Sequence, residues 1–236
     1  MGQSGHIDFT SFSHLTFDCY GTLIDWESGI LEAVGGVLAR HGLIVPEEQI
    51  LRLYAAFEAE IEAGPYRKYR DVLRGVMHGF GLELGFEPDE GDLEELPTSV
   101  GRWPAFSDSS GALERLASRY KLVILSNIDD ALFVESRKVL GVQFDDVITA
   151  QQIGSYKPAA RNFEHALERL GVAKARVLHV AQSLYHDHAP AKRLGFTTAW
   201  VNRPSRCPGV GVAPASDVVP DVEVENMAAL ADLCGL

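Results

Sequence analysis

With 236 residues, 46% of them apolar and 23% charged, the chain has an ordinary globular composition and the length for one sizeable core plus a smaller second unit. A formal net charge of −12 excludes a nucleic-acid backbone as partner, because such binding needs a concentrated cationic surface. No run has the apolar length of a bilayer span, the start MGQSGHIDF lacks the basic and apolar regions of a signal peptide, and Cys19, Cys207 and Cys234 form no CxxC pair. A cytoplasmic protein with no membrane contact and no zinc site is expected.

Along the chain, a short apolar run at 15–17 reads as a buried strand. Helical patterns follow at 28–40, around Ile50, Tyr54, Phe57 and Ile61, at 66–80 and at 90–100, with Gly64-Pro65 as internal punctuation. Next come a helix at 109–120, a strand at 122–125, a helix at 130–140, a weaker strand at 146–150 and a helix at 159–170. Strands at 177–180, 197–201 and 221–224 close the series, and 203–220, rich in Pro, Gly and Val, reads as a surface loop.

Alternating strands and helices imply an α/β fold, a Rossmann-like parallel sheet built with right-handed crossovers. The interval between the first strand and 122 is far longer than one crossover needs, and it carries helices of its own. The reading is therefore an α/β core of 1–25 and 104–236, with a helical-bundle cap inserted at 26–103. Ligands of such sheets bind beyond the carboxyl ends of the strands, so residues there carry the most weight.

Asp18 ends the first strand, followed by Tyr20, Gly21 and Thr22. A lone Asp in that place is most often a loop or cap residue. Ser126 and Asn127 follow the second long strand, where they could bind an anionic oxygen or cap the next helix. Lys157-Pro158 precedes a helix, and Gln182, Ser183 and Asp187 follow the strand at 177–180. A carboxylate, an anion-binding hydroxyl, a cation and a second carboxylate at separate strand ends make a nucleophile with an electrostatic clamp.

DxYGTL, SN after the second core strand, KP before a helix and AQSxxxD together resemble motifs one to four of the haloacid-dehalogenase superfamily, over nearly the whole chain. The resemblance implies that Asp18 attacks substrate, Ser126 and Lys157 hold the anion, and Asp187 closes the site. The superfamily's phosphatases carry a second Asp two residues after the nucleophile and an Mg²⁺-binding acid in motif four; here those positions are Tyr20 and Gln182. DxYGTL without the second acid resembles the type II 2-haloacid dehalogenases. This implies a metal-free and cofactor-free hydrolase that opens the carbon–halide bond of short 2-haloalkanoic acids through an ester on Asp18. The alternative is an Mg²⁺-dependent small-molecule phosphatase of the same fold.

By the same resemblance, Asp18, Lys157 and Asp187 are the catalytic candidates. Tyr20, Thr22, Arg52, Ser126, Asn127, Gln182 and Ser183 are the substrate-binding ones, Arg52 standing near the halide-binding Arg of those enzymes. Phe163 replaces their Tyr six residues after the lysine, and Gln182 and Leu184 replace their motif-four Ser and Asn. The expected partner is a small anionic substrate, with a homodimer left open.

Overall fold

The computed structural model describes residues 7–206 and 216–236, so Cys207 and the 207–215 part of the expected loop lie outside the described residues. The strands are β1 (His14–Phe17), β2 (Lys121–Ser126), β3 (Asp146–Thr149), β4 (Val177–Ala181), β5 (Thr197–Val201) and β6 (Val222–Val224). They form one parallel sheet in the order β3-β2-β1-β4-β5-β6. The chain fills one side of β1 and then, from β4 onward, the other. That reversal leaves a crevice beyond the carboxyl ends of β1 and β4.

Alternate strand residues feed two cores, as a sheet covered on both faces requires. Leu15, Phe17, Leu122, Ile124, Leu178 and Val180 belong to the larger, while Val123, Leu125, Val177 and Ile148 pack with Phe163 and Phe196 in the smaller. Truncating a leucine at such a position typically costs about 2–5 kcal/mol, so the strand-end geometry rests on a stiff frame.

Between β1 and β2 run α1 (Trp26–Arg40), α2 (Glu47–Glu62), α3 (Tyr69–Leu84), α4 (Glu90–Ser99) and α5 (Ser109–Ala117). The outgoing and returning strands of chain lie side by side: the Asp25 N–H donates to the Pro104 carbonyl at 2.8 Å, and Ile24 bridges to Ala105. The larger core continues from the sheet through Ile30, Val34, Leu51, Leu73, Met77 and Phe80, so the helices between β1 and β2 share one apolar cluster with the sheet.

α3 begins at Tyr69, three residues later than the pattern at 66 suggests. Lys68 offers no side-chain cap; Asp129, from the loop after β2, accepts the N–H groups of Tyr69 and Arg70 instead. The remaining helices are α6 (Asp130–Leu140), α7 (Ala150–Ile153), α8 (Ala160–Leu170), α9 (Ala189–Arg193) and α10 (Met227–Leu233), with a π-helical turn over Leu184–His188. Among the described residues no helix is long and apolar enough to cross a membrane.

Candidate active site

Asp18 emerges one residue past β1, its N–H still bound to the Val180 carbonyl at 3.1 Å. The chain then turns on Gly21, whose φ of +92° is a conformation that side-chain-bearing residues rarely adopt. The turn folds Thr22 beneath Asp18: its hydroxyl donates to Asp18 Oδ2 at 2.8 Å and accepts from the Gln182 N–H at 2.9 Å. Thr22 therefore orients Asp18 and ties β1 to the loop after β4.

Lys157, 2% exposed, donates to Asp18 Oδ1 at 2.9 Å, to Asp187 Oδ1 at 2.6 Å and to the Leu125 carbonyl at 2.9 Å. All three ammonium donors are thus used. Burial opposes this charge, but the two carboxylates outweigh it and hold the lysine above its ordinary pKa. Burial also pushes Asp187 up, yet Lys157 and His179 overcome it and hold Asp187 below the usual carboxylate value. Asp18 moves the other way: burial raises it, Asp187 adds to the rise, and Lys157 and Thr22 offset only part.

Behind Asp187 lies His179, a residue of β4 that was not among the candidates named from the sequence. Its Nε2 meets Asp187 Oδ1 at 2.9 Å and its Nδ1 meets the Thr16 hydroxyl at 2.9 Å, all within the buried sheet. A histidine inside an otherwise apolar strand, in register with a threonine on β1, was the available signal.

These groups open into a cavity of about 460 Å³ lined by Asp18, Tyr20, Ser126, Asn127, Lys157, Gln182, Ser183 and Asp187 from the core. The helices between β1 and β2 add Trp26, Glu58, Glu62 and Tyr69, and the segment after β5 adds Arg203 and Arg206. The Ser126 hydroxyl is free of hydrogen bonds among the described residues. The other expected binding residues are more committed. The Asn127 amide exchanges two hydrogen bonds with the Lys157 backbone, at 2.7 and 3.0 Å, and so positions the lysine. The Tyr20 hydroxyl is 2.7 Å from Ser136 Oγ, and its ring stands edge-on to Trp103. The Ser183 hydroxyl caps the π-helical turn by accepting the His186 N–H. Tyr185 and His186 reach the cavity, where burial lowers His186 to about 4 and leaves it neutral at pH 7.

Arg52 is a correction: it is exposed and does not line the cavity. On α2 the inward stripe runs through Tyr54, Glu58 and Glu62 at i, i+4 spacing, and Arg52 falls about 200° around the helix from Tyr54. Glu58 and Glu62 were missed because on sequence alone they read as solvated helix charges. Phe163 is fully buried in the smaller core, edge-on to His179 at 5.1 Å, and lies outside the cavity.

Phosphatases of this fold call for a hard-cation site, and the residues here do not fit one. Tyr20 is a phenol bonded to Ser136, Gln182 is neutral, and Asp18 and Asp187 already share the Lys157 ammonium. Among the described residues no group of three or more His, Cys, Asp and Glu side chains is placed to hold a metal ion.

Known proteins carry the same arrangement of chain. An (S)-2-haloacid dehalogenase of Pseudomonas fluorescens is 25% identical over 92% of this chain and 93% of its own. Another, of Pseudomonas sp. (strain YL), is 28% identical over 93% of each. The solved structure of the L-2-haloacid dehalogenase from Xanthobacter autotrophicus with chloropropionic acid covalently bound superposes with a TM-score of 0.79 at 25% identity, covering 94% of this chain and 98% of that one. The sequence profile of the haloacid dehalogenase-like hydrolases matches residues 12–195. With the match spanning both the nucleophile turn and the lysine–aspartate pair, the chain belongs to the haloacid dehalogenase-like hydrolases.

Proposed function

We propose that the protein is a hydrolytic dehalogenase of short 2-haloalkanoic acids, working through an ester on Asp18. The observation that carries this reading is a buried carboxylate held at one oxygen by Thr22 and at the other by Lys157, with no second acid two residues later. The two Pseudomonas relatives bear the name (S)-2-haloacid dehalogenase, and the Xanthobacter enzyme holds its chloropropionic acid covalently.

Helices of 26–103 act as the cap that shields the reaction from bulk water. An Asp18 oxygen forms a bond to the substrate Cα while the Cα–halogen bond breaks, and halide leaves with the electron pair. The Ser126 hydroxyl and neighbouring backbone N–H groups hold the substrate carboxylate. Water then adds to Asp18 Cγ, and breakage of the Cγ–O bond releases a 2-hydroxy acid. One water proton ends on the product hydroxyl and the other reaches solvent, while the water oxygen remains in the Asp18 carboxylate. Asp187, held acidic by Lys157 and His179, is a weak base; its part is to orient the water and fix Lys157. No step calls for a metal or an organic cofactor.

Halide release from chloroacetate and 2-chloropropionate, run beside a phosphomonoester panel, tests the reading. In single turnover in H₂¹⁸O, label should enter Asp18 first, and Asp18→Asn should lower halide release by about 10⁴-fold or more. Activity should persist after exhaustive chelation. Phosphomonoester turnover that requires Mg²⁺, with no halide release, would replace this function by the phosphatase one.

A further inference from the structure

The wall that the cap presents to the cavity is acidic. Glu58 and Glu62 lie one turn apart on α2 and both line the cavity that holds Asp18 and Lys157. Glu58 is fixed: its Oε1 accepts the Tyr69 hydroxyl at 2.6 Å and the Tyr54 hydroxyl at 3.1 Å. Glu62 has no hydrogen bond to any described residue. Two like charges at i, i+4 repel even on an exposed helix, and in a cavity of lower dielectric they repel more.

None of the cavity's cations is hydrogen-bonded to either of them among the described residues. The Lys157 ammonium is spent on Asp18, Asp187 and Leu125. Arg203 donates to the Thr22 carbonyl and both Asp108 oxygens, and it stacks over the Phe106 ring at 3.9 Å. Arg206 is exposed and donates to Ser28. Altogether six carboxyl side chains face three cations in the described lining. Burial and then the neighbouring Glu58 charge push Glu62 up to about 9, Lys157 offsetting only part, so without a ligand a proton occupies the place of a counter-ion.

At the core end the demand is opposite. Ser126, 3% exposed, directs an unpartnered hydroxyl into the same cavity, beside the Lys157 that grips the nucleophile. A bare haloacetate or 2-chloropropionate would meet that end and leave the half-buried carboxyls of the cap facing an apolar tail or a halide, with no cation to pair with.

We propose that the substrate is zwitterionic: a 2-haloalkanoate whose carboxylate end lies at Ser126 and whose far end carries an ammonium group docked on Glu58 and Glu62. This assignment rests on the dehalogenase reading for the bond that is cleaved, but not for the recognition of the ammonium. Glu62 is then a specificity-determining residue, and Tyr54 and Tyr69 position Glu58 beside it.

The test compares 6-amino-2-chlorohexanoate with 2-chlorohexanoate, two chains of equal length that differ in the terminal ammonium. The wild type should favour the amine by about 10- to 100-fold in kcat/KM, the scale of one charge-assisted hydrogen bond, expressed mainly in KM. Glu62→Gln, an isosteric change at a side chain without hydrogen bonds, should bring the ratio to near unity. A second arm is calorimetric binding of the unreactive 6-aminohexanoate and hexanoate to both proteins. If neither chloro acid releases halide but 6-aminohexanoate binds more tightly and loses its advantage in Glu62→Gln, the dehalogenase reading fails and the zwitterion site stands. If the amines are bound or turned over no better than their neutral counterparts, or if Glu62→Gln leaves the preference intact, the zwitterion assignment is overturned.

Discussion

The Asp129 carboxylate accepts the backbone N–H of Tyr69 at 2.9 Å, so a side chain of the core caps a helix of the inserted unit. Its other oxygen takes the Arg70 N–H at 2.8 Å, which satisfies two of the orphan donors of α3 with one negative charge at the helix's positive end. Tyr69 also carries the hydroxyl that fixes Glu58, so the latch and the cavity wall are mechanically joined.

Replacing this latch should weaken the docking of the cap. Asp129→Ala is expected to lower stability by about 1–2 kcal/mol and to speed amide exchange at Tyr69 and Arg70 ahead of the sheet. Thermal unfolding and hydrogen exchange measure both. Protection at the two amides equal to that of the wild type would show that the cap is held without Asp129.

The acid limb of activity follows from Asp18. In the proposed mechanism attack requires the carboxylate form, and burial raises its pKa, so activity should fall as pH falls through a value above the ordinary 3.8. Asp187 is depressed, so it stays charged over that range, and its pairing stabilises the fold at neutral pH until pH falls below the usual carboxylate range. A kcat/KM profile should rise with a midpoint above that of a free aspartate. A midpoint at or below 3.8 contradicts the assignment.

His179 should act through Asp187. His179→Ala removes the 2.9 Å contact to Asp187 Oδ1 and leaves Lys157 as its sole side-chain partner among the described residues. The carboxylate then loses orientation more than charge. We expect hydrolysis of the ester to slow by about 10- to 100-fold while its formation changes less, giving a burst of halide that the wild type lacks. His179→Asn, which retains a donor, should restore part of the rate. Equal slowing of both steps would place His179 in general structural support.

Gly29 tests the packing between α1 and the return of the chain. A Cβ there would clash with the Trp103 ring, and Trp103 is itself buried and pinned by its indole N–H to Ser99 at 2.9 Å. Overpacking of this kind costs about 1–3 kcal/mol. Gly29→Ala should lower the melting temperature accordingly, although it removes a helix-weakening glycine; a rise would mean that Trp103 can rotate freely.

Much of the frame was determined by the sequence alone, because strand runs, helical periods and the polar residues that end a strand are local properties. Asp18, Lys157 and Asp187 fell into place once the parallel sheet was inferred, since strand ends of such a sheet face one crevice. That several helices lie between β1 and β2 was legible from the length of that interval. What only the tertiary structure decided is how helices are rotated and what polar groups spend themselves on. The rotation of α2 against α1 and α3 turns Glu58 and Glu62 inward and Arg52 outward, and both outcomes satisfy the same amphipathic pattern. The start of α3 depends on a carboxylate some 60 residues away in sequence, and the duty of Asn127 depends on the Lys157 backbone across the crevice. Such contacts arise from long-range packing, and no local period encodes them.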